Sequence, residues 1–381
     1  MKYRILPLIL IFTLLLGAAA NAEPKFRYSF DEAFDMALKN SAEYKSKDNA
    51  ISKAYDNYEK QEKAAPAEVK FNVGNFKKFI TDQVDPYVKV EDAYSSYQQT
   101  ILDRENAKIN LALNLRSAVI AIENAEMAME EANANKKVWE EELKLLDLRL
   151  DKNLISKTEY KNKKADLESK IKGLDKEQKA LDEAYYNLNS LLGRENEKDI
   201  VITLNDTVVP LERLDLEQIK KDMIKKDASL NQKSNQRYSK KVYFDLVEER
   251  YLKYDLDKFT DSMRYDMTEM YEEAKEDFEA AGSDYEKALA SFGKDFDKMI
   301  ESINDNLEEI SSIEEEILEE QQSIELYRIK YEARMISKNE YDSKLSNLSI
   351  LRNKQKASLL ELNQKYAKLL SCSDLEKVVK Q

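Results

Sequence analysis

The side chains that most often carry out catalysis or bind metals are nearly absent from this sequence. Its 381 residues include no histidine and one cysteine, Cys372. Histidine is the commonest general base and the commonest metal ligand, and one thiol makes neither an internal disulfide nor a thiolate metal site. Serine, lysine and carboxylate chemistry stays open on composition alone, although no grouping of these residues points to it. We therefore expect no enzyme activity, no cofactor and no metal.

The most specific local signal is a Ser-x-x-Glu spacing that occurs twice in the same context. The segment 153–160, NLISKTEY, returns almost unchanged 181 positions later as 334–341, RMISKNEY. In this spacing the serine hydroxyl accepts a backbone N–H at the start of a helix, and the glutamate carboxylate accepts the N–H of the serine. Such a pair indicates helix capping. The predicted caps are Ser156, Glu159, Ser337 and Glu340.

The residues around each cap predict a sharp corner between two helices. Asn153 precedes the first cap and suits the left-handed conformation that ends a helix, whereas Arg334 at the same place is a poorer terminator. Ile155 can pack against Tyr160 across the first cap as a hydrophobic staple, and the second copy repeats this pair. Each segment therefore predicts the tip of an antiparallel helical hairpin.

Helices dominate the prediction because glycine and proline are scarce. The chain has six glycines and five prolines, and no proline interrupts 87–209 or 211–381. Helices are predicted at 29–63, 87–152, 157–192, 216–281, 284–333 and 338–371, with a turn at Gly282-Ser283. Short strands are predicted at 68–73 and 200–204.

Apolar residues at intervals of seven indicate that these helices pair as coiled coils. One row begins at Tyr160, and another runs from Ile303 to Tyr331. The segment 30–44 also aligns with 216–230. We therefore predict an all-α fold of long antiparallel coiled-coil hairpins in two tandem repeats with little β structure. The predicted units are a signal peptide at 1–22, a first helical repeat at 23–192, a linker with a short strand at 193–215, and a second helical repeat at 216–381.

Net charge and the first residues bear on partners and location. The net charge of −13 and the pI of about 5.0 predict no nucleic-acid partner, because an acidic surface repels phosphate. Lys2 and Arg4 precede an apolar run, and Ala20-Asn21-Ala22 fits a small-x-small cleavage site. We therefore expect an exported chain whose signal peptide is removed, and no later apolar segment is long enough for a transmembrane helix.

Three kinds of segment together resemble the TolC-like outer-membrane efflux protein family. The opening SFDEAFDMALKNSAEYK resembles that family's first helix, with the pattern L-x-x-A-x-x-x-A-L-x-N-(N/S)-P-E-L. The two tips resemble its turn G-L-(I/V)-(S/T)-x-x-(D/E), and LNSLLG at 188–193 resembles the end of its first repeat. The resemblance covers nearly all of the chain after the signal peptide. It implies a protomer of an α-barrel, since in the family three chains form a hollow helical cylinder below a membrane β-barrel.

For this chain the resemblance implies an exported efflux or secretion conduit component that is not an enzyme. The implied partners are further copies in a homotrimer, a periplasmic adaptor and an inner-membrane pump. Glu340 falls where the family can place an acidic residue at the entrance constriction, and for both Glu159 and Glu340 a role in capping alone stays open. The adaptor-facing tip residues implied by the resemblance are Asn153, Leu154, Ile155, Ser156, Arg334, Met335, Ile336 and Ser337.

The segments in which that family places its membrane strands are largely missing from this sequence. Only 64–85 and Gly282-Ser283 stand at those places, whereas one membrane strand takes about 9 to 11 residues. Two hypotheses follow. The first is a conduit component in the periplasm or outer membrane, or on the extracytoplasmic face of an envelope without an outer membrane. The second is an exported coiled-coil scaffold or adaptor without a pore.

Overall fold

The structure is a computed structural model that describes residues 26–71, 75–204, 208–253 and 260–378. Helices make up 86% of these residues and strands 3%, which confirms the predicted all-α class. The signal peptide predicted at 1–22 lies outside the described residues. No described helix combines the length and the apolarity needed to cross a membrane.

Two long helices dominate the chain, one in each half. The first half contains β1 (Phe26–Ser29), α1 (Phe30–Asn40), α2 (Ala42–Ala64), α3 (Phe76–Phe79), a π-helical turn (Ile80–Val84), α4 (Asp85–Asp151) and α5 (Lys157–Leu192). The second half contains β2 (Ile200–Thr203), a 3₁₀ turn (Leu211–Arg213), α6 (Leu216–Lys226), α7 (Ala228–Leu252), α8 (Asp261–Glu332), α9 (Lys338–Leu370) and α10 (Leu375–Val378). The long helices α4 and α8 have 67 and 72 residues, so each extends roughly 100 Å.

Two predicted helices are each divided by a capping residue. Ser41 has an extended backbone and its hydroxyl accepts the N–H of Tyr44, which ends α1 and starts α2. Asp227 separates α6 from α7 in the same way and accepts the N–H of Leu230. Serine and aspartate bond the backbone outside a helix more readily than they continue one. The single helices predicted at 29–63 and 216–281 are therefore wrong.

The turn predicted at Gly282-Ser283 is also wrong, because α8 passes through it without a break. One glycine costs an exposed helix only about 1 kcal/mol. Against this cost, Met267 and Ala274, seven residues apart on α8, are buried in one apolar cluster with Val247 of α7. The helices α7 and α8 are antiparallel, since Lys240 pairs with Asp277 and Tyr251 stacks on Tyr271.

The strands differ from the prediction in two places. Residues 68–71 form no strand, because the N–H of Lys70 bonds to the Gln83 side chain instead, and 72–73 lie outside the described residues. The strand predicted at 200–204 is present as β2. Its parallel partner, β1, was not predicted, and the register places Phe26 opposite Ile200.

The helices form a layer, and their pairwise contacts give the order of the helices within it. In the half of the layer away from the corners, α2, α4, α7 and α8 lie in that order, and in the half with the corners the order is α5, α4, α9 and α8. The long helices α4 and α8 thus belong to both halves. At the edges of the layer, α2 and α5 pack on α4, and α8 packs on α7 in one half and on α9 in the other.

Apolar clusters in the middle of the layer fix this arrangement. The first contains Ala33, Leu115 and Leu188 with Ile200 of β2, and the second contains Ile219, Ile303 and Leu369. Gly193 ends α5 in the left-handed region at φ 68°, where a Cβ would lie 2.6 Å from Asn40 Oδ1. Only glycine leaves room for the Asn40 amide to donate to the carbonyls of Ser190 and Leu191.

Candidate functional site

The candidate site consists of the two corners, one between α4 and α5 and the other between α8 and α9. At the first corner Asn153 has φ 56°. The N–H of Leu154 donates to the carbonyl of Arg149 at 2.8 Å, and the N–H of Asn153 donates to Leu150 at 2.9 Å. These two bonds form a Schellman motif, in which a left-handed residue closes the helix and satisfies its last carbonyls.

The second corner has the same backbone although its left-handed residue is arginine. Arg334 has φ 58°. The N–H of Met335 donates to Lys330 at 2.8 Å, and the N–H of Arg334 donates to Tyr331 at 2.9 Å. A residue other than glycine, asparagine or aspartate pays about 1 kcal/mol or more for this conformation. The hairpin therefore forms the same turn at a higher cost in conformational energy.

The serines that follow each turn start the return helices. The hydroxyl of Ser156 accepts the N–H of Glu159 at 3.1 Å, and that of Ser337 accepts the N–H of Glu340 at 3.3 Å. At the second corner the Glu340 carboxylate also accepts the N–H and the hydroxyl of Ser337, both at 2.8 Å. The second corner thus contains a complete capping box.

The first corner lacks the returning half of that box. The Glu159 carboxylate accepts from the Lys163 ammonium at 2.8 Å, one turn further along α5. At the second corner the residue four positions after Glu340 is also a lysine, Lys344, but its ammonium donates across the hairpin to Glu320 at 3.1 Å. Glu340 therefore keeps its carboxylate on the cap. The role predicted for Glu159 as a cap through its carboxylate is wrong in this structure, and the neighbouring lysine is the reason.

Leucine and methionine side chains project from the two corners at equivalent positions. Leu154 is 69% exposed and Met335 is 73% exposed, while Ile155 and Ile336 beside them are half-buried. All eight tip residues predicted from sequence lie together at the two corners. Each corner therefore presents one apolar side chain, held in place by a hydrogen-bonded turn. The remaining tip residues are exposed, and these are Asn153, Ser156, Arg334 and Ser337.

The tyrosines beyond the two caps make different contacts, which the repeated sequence did not reveal. The Tyr160 hydroxyl donates to Asp147 across the first hairpin at 2.7 Å. Tyr341 instead stacks on Tyr331, with ring centroids 5.4 Å apart and planes 5° from parallel. Each contact joins the descending helix to the return helix near the corner, so both corners are braced from the side.

Glu340 has its charge stabilised by the cap. The backbone N–H of Ser337, followed by its hydroxyl, lowers the pKa of the Glu340 carboxyl below its ordinary value. The ionised form is therefore favoured, and both carboxylate contacts go to Ser337. In the single chain this carboxylate takes part in the capping box of the second corner. The predicted position of Glu340 at a pore constriction stays a prediction.

An ion-pair network that sequence reasoning missed lies on α8 just before the second corner. The Arg328 guanidinium pairs with Glu325 at 2.6 Å and with Glu332 at 3.0 Å. The signal was present as i,i+3 and i,i+4 spacing. Among the described residues no group of histidine, cysteine or carboxylate side chains could hold a metal ion.

Solved structures share this arrangement of helices. The outer membrane protein VceC from Vibrio cholerae is similar with a TM-score of 0.58 and 12% identity, over 89% of this chain and 95% of that one. The CmeC outer membrane channel of Campylobacter jejuni has a TM-score of 0.61 and 12% identity, over 91% and 88%. The open MtrE outer membrane channel of Neisseria gonorrhoeae has 0.56 and 13%, over 90% and 87%.

These likenesses identify the fold. No family model and no curated protein matches the sequence. At identities of 11% to 13% the comparison carries the fold alone, and that fold is the one expected from the TolC-like resemblance. The chain has the fold of outer-membrane channels.

Proposed function

We propose that this chain, which has the fold of outer-membrane channels, is a TolC-like component of an efflux or secretion conduit. Copies of the chain form an α-helical duct in the cell envelope. The corners dock on a periplasmic adaptor that connects the duct to an inner-membrane pump. The observation that carries the proposal is the pair of exposed side chains, Leu154 and Met335, at equivalent rigid corners of this fold.

Three features of the corners support a docking role. First, an exposed apolar side chain lowers solubility, and apolar surface of this kind is typical of contact sites. Second, the turns and caps hold the backbone before a partner arrives, which reduces the entropy lost on binding. Third, one exposed apolar side chain lies at each tip, so a ring of copies would present such side chains many times on one rim. Repeated weak contacts of this kind add up to strong binding.

The edges of the layer support assembly from several copies. A helical layer with unpaired edges at α5 and α8 closes when the edge of one copy meets the edge of the next. We propose a homotrimer, exported to the envelope, with Glu340 near the entrance that the corners surround. We also propose the tandem division at 23–192 and 216–381, since α4 with α5 and α8 with α9 form equivalent hairpins.

The docking proposal is tested by crosslinking in cells with the variant Leu154→Asp/Met335→Asp. Wild type is expected to capture an envelope partner, identified by mass spectrometry as an adaptor, and the double variant is expected to lose it. Leu252→Asp is the matched control, because Leu252 is also 73% exposed but lies at the end of α7, away from the corners. Equal capture by the double variant would contradict docking through the corners.

The duct itself is tested on the purified mature protein. Its mass in solution and electron micrographs should show a closed ring of copies with a central channel. An elongated monomer or dimer without a channel would contradict the conduit and favour the coiled-coil scaffold.

A further inference from the structure

The contact between α4 and α9 shows how two hairpins of this fold meet side by side. Ile120 and Met127 of α4 are buried in one cluster with Leu360 of α9. Beside this cluster Glu123 pairs with Lys356 at 3.0 Å. The contact joins the inner helices of the layer, while the outer helices α5 and α8 keep exposed faces.

The internal repeat relates these inner helices to the outer ones. A shift of 181 positions carries α4 onto α8 and α5 onto α9, because both hairpins turn at equivalent residues. Buried residues within the two hairpins coincide under this shift, so the register is the same along the paired helices. The coinciding pairs include Leu115 with Phe296, Ile122 with Ile303, Tyr185 with Tyr366, and Leu188 with Leu369.

The residue types no longer match under this shift at the residues of the α4–α9 contact. Ile120 and Met127 become Glu301 and Glu308 on α8, and Leu360 becomes Lys179 on α5. All three charged residues are exposed. An apolar contact inside the chain thus corresponds to a pair of glutamates on one edge and a lysine on the other. The two edges carry opposite charges at the positions where they would meet.

At a second pair of positions in the same contact, uncharged residues also correspond to opposite charges on the two edges. Inside the chain the Gln364 amide donates to the Ser117 hydroxyl at 2.8 Å. Under the shift Ser117 becomes Lys298 on α8 and Gln364 becomes Glu183 on α5. Lys298 is exposed and lies 3.8 Å from Asp295 of its own helix. The two edges therefore carry opposite charges at this pair of positions as well.

The positions equivalent to the ion pair of the inner contact hold one neutral and one charged residue. Under the same shift Glu123 becomes Asn304 on α8, and Lys356 becomes Asp175 on α5. Both replacements are exposed. An asparagine amide can donate to an aspartate carboxylate, so this third pair of positions is also compatible with contact between the two edges.

We infer that the α8 edge of one copy binds the α5 edge of the next copy with the geometry of the α4–α9 contact. In this junction Glu301 and Glu308 lie two helical turns apart on either side of Lys179, and Lys298 meets Glu183. The two edges differ, so every copy supplies one of each, and such a head-to-tail contact closes a ring when the rotation between neighbouring copies completes a full turn. The inference rests on the proposed duct and names the residues that join its copies.

Opposite charges suit this junction better than an apolar contact would. An exposed apolar edge on the free chain would join edges in any register, whereas like charges facing each other exclude wrong registers. Tyr186, 60% exposed on α5 and seven residues beyond Lys179, adds an aromatic side chain to the same face. The α4–α9 contact needs no charges to select its register, because the two helices belong to the same chain and their connection fixes the register.

The test is a charge exchange on the full mature chain. Lys179→Glu should raise the protein concentration at half-assembly by more than about tenfold, because like charges then face each other. The triple variant Lys179→Glu/Glu301→Lys/Glu308→Lys should restore the wild-type assembly. Lys170→Glu is the control, since nine residues are two and a half turns and place it on the opposite side of α5. Circular dichroism checks that each variant keeps its helices.

A crosslink gives a second measurement that does not depend on charge. Lys179→Cys/Glu308→Cys in a Cys372→Ser background should form disulfide-linked copies on oxidation, whereas either cysteine alone should give far less product. If wild type is monomeric, the proposed duct fails together with the junction. If wild type forms a ring but the triple variant stays dissociated and the cysteines do not link, the duct stands and this junction is wrong.

Discussion

The left-handed arginine at the second corner leads to a prediction that can be worked out from the backbone. Arg334 and Asn153 occupy the same place in two equivalent Schellman motifs, with φ 58° and 56°. Asparagine enters this conformation readily, whereas other L-residues pay roughly 1–2 kcal/mol. Replacing Arg334 with glycine removes that cost. We therefore expect Arg334→Gly to stabilise its corner more than Asn153→Gly stabilises the other.

The size of the effect is set by two opposing contributions. Glycine removes the strain of about 1–2 kcal/mol but gains about 0.4–1 kcal/mol of chain entropy in the unfolded state. The net stabilisation of the second corner is then about 0.5–1 kcal/mol. That difference corresponds to roughly a two- to fivefold lower population of the open corner. For Asn153→Gly the two contributions nearly cancel.

Amide hydrogen exchange measures this population at the corner itself. The N–H of Met335 bonds to Lys330 only while the turn is closed, so its exchange reports opening of the corner. Peptides covering 329–341 should exchange about two to five times more slowly in Arg334→Gly than in wild type. Arg334→Ala is the control, because alanine removes the charge and keeps the strain. Equal slowing by alanine would refute the backbone explanation and attribute the effect to the arginine charge.

Three further predictions concern the caps and the fold. Ser337→Ala should destabilise its corner more than Ser156→Ala does, both within about 0.5–2 kcal/mol, because of these two serines Ser337 alone belongs to a complete capping box; an equal increase in amide exchange at the two corners would contradict this. Since the folded-state pKa of Glu340 lies below its ordinary value of 4.5, its cap is fully stabilising above that value and is lost as pH falls through the lowered pKa. After correction for the intrinsic pH dependence of amide exchange, acid should therefore speed exchange at the second corner in wild type but not in Glu340→Gln. If Glu340→Gln keeps the same pH dependence, Glu340 is not the cause of it. Circular dichroism of the mature protein should show at least about four-fifths helix, since helices are 86% of the described residues, and a large β signal would contradict the fold.

The corners were predictable because their signals are local. The capping spacing and the repeat located both turns, and the helix α5 has the predicted bounds, Lys157–Leu192. Asn153 was expected in the left-handed region from its own side chain. These features depend on residues within a few positions of one another, so one sequence is enough to find them.

The breaks elsewhere in the chain could not be read in the same way. Gly282 and Ser283 resemble a turn locally, but the packing of α8 on α7 keeps the helix continuous. Ser41 and Asp227 end helices through caps that lack a glutamate three residues later. The strand β1 forms because β2, from the other half of the chain, pairs with it. The contact between α4 and α9 likewise depends on tertiary placement.

The shared long helices restrict how a molecule of this design can change in length. The apolar row of α8 repeats every seven residues, from Ile303 through Ile310 to Ile317. An insertion of seven residues keeps that row on one face of α8. An insertion of two residues rotates the row away from α9. An equal insertion in α9 is needed to return the chain to its corner, and matching insertions in α4 and α5 keep the two corners level. Evolution can therefore lengthen or shorten such a protein only in coordinated steps of about 10 Å, so the span between its two ends is a discrete inherited quantity.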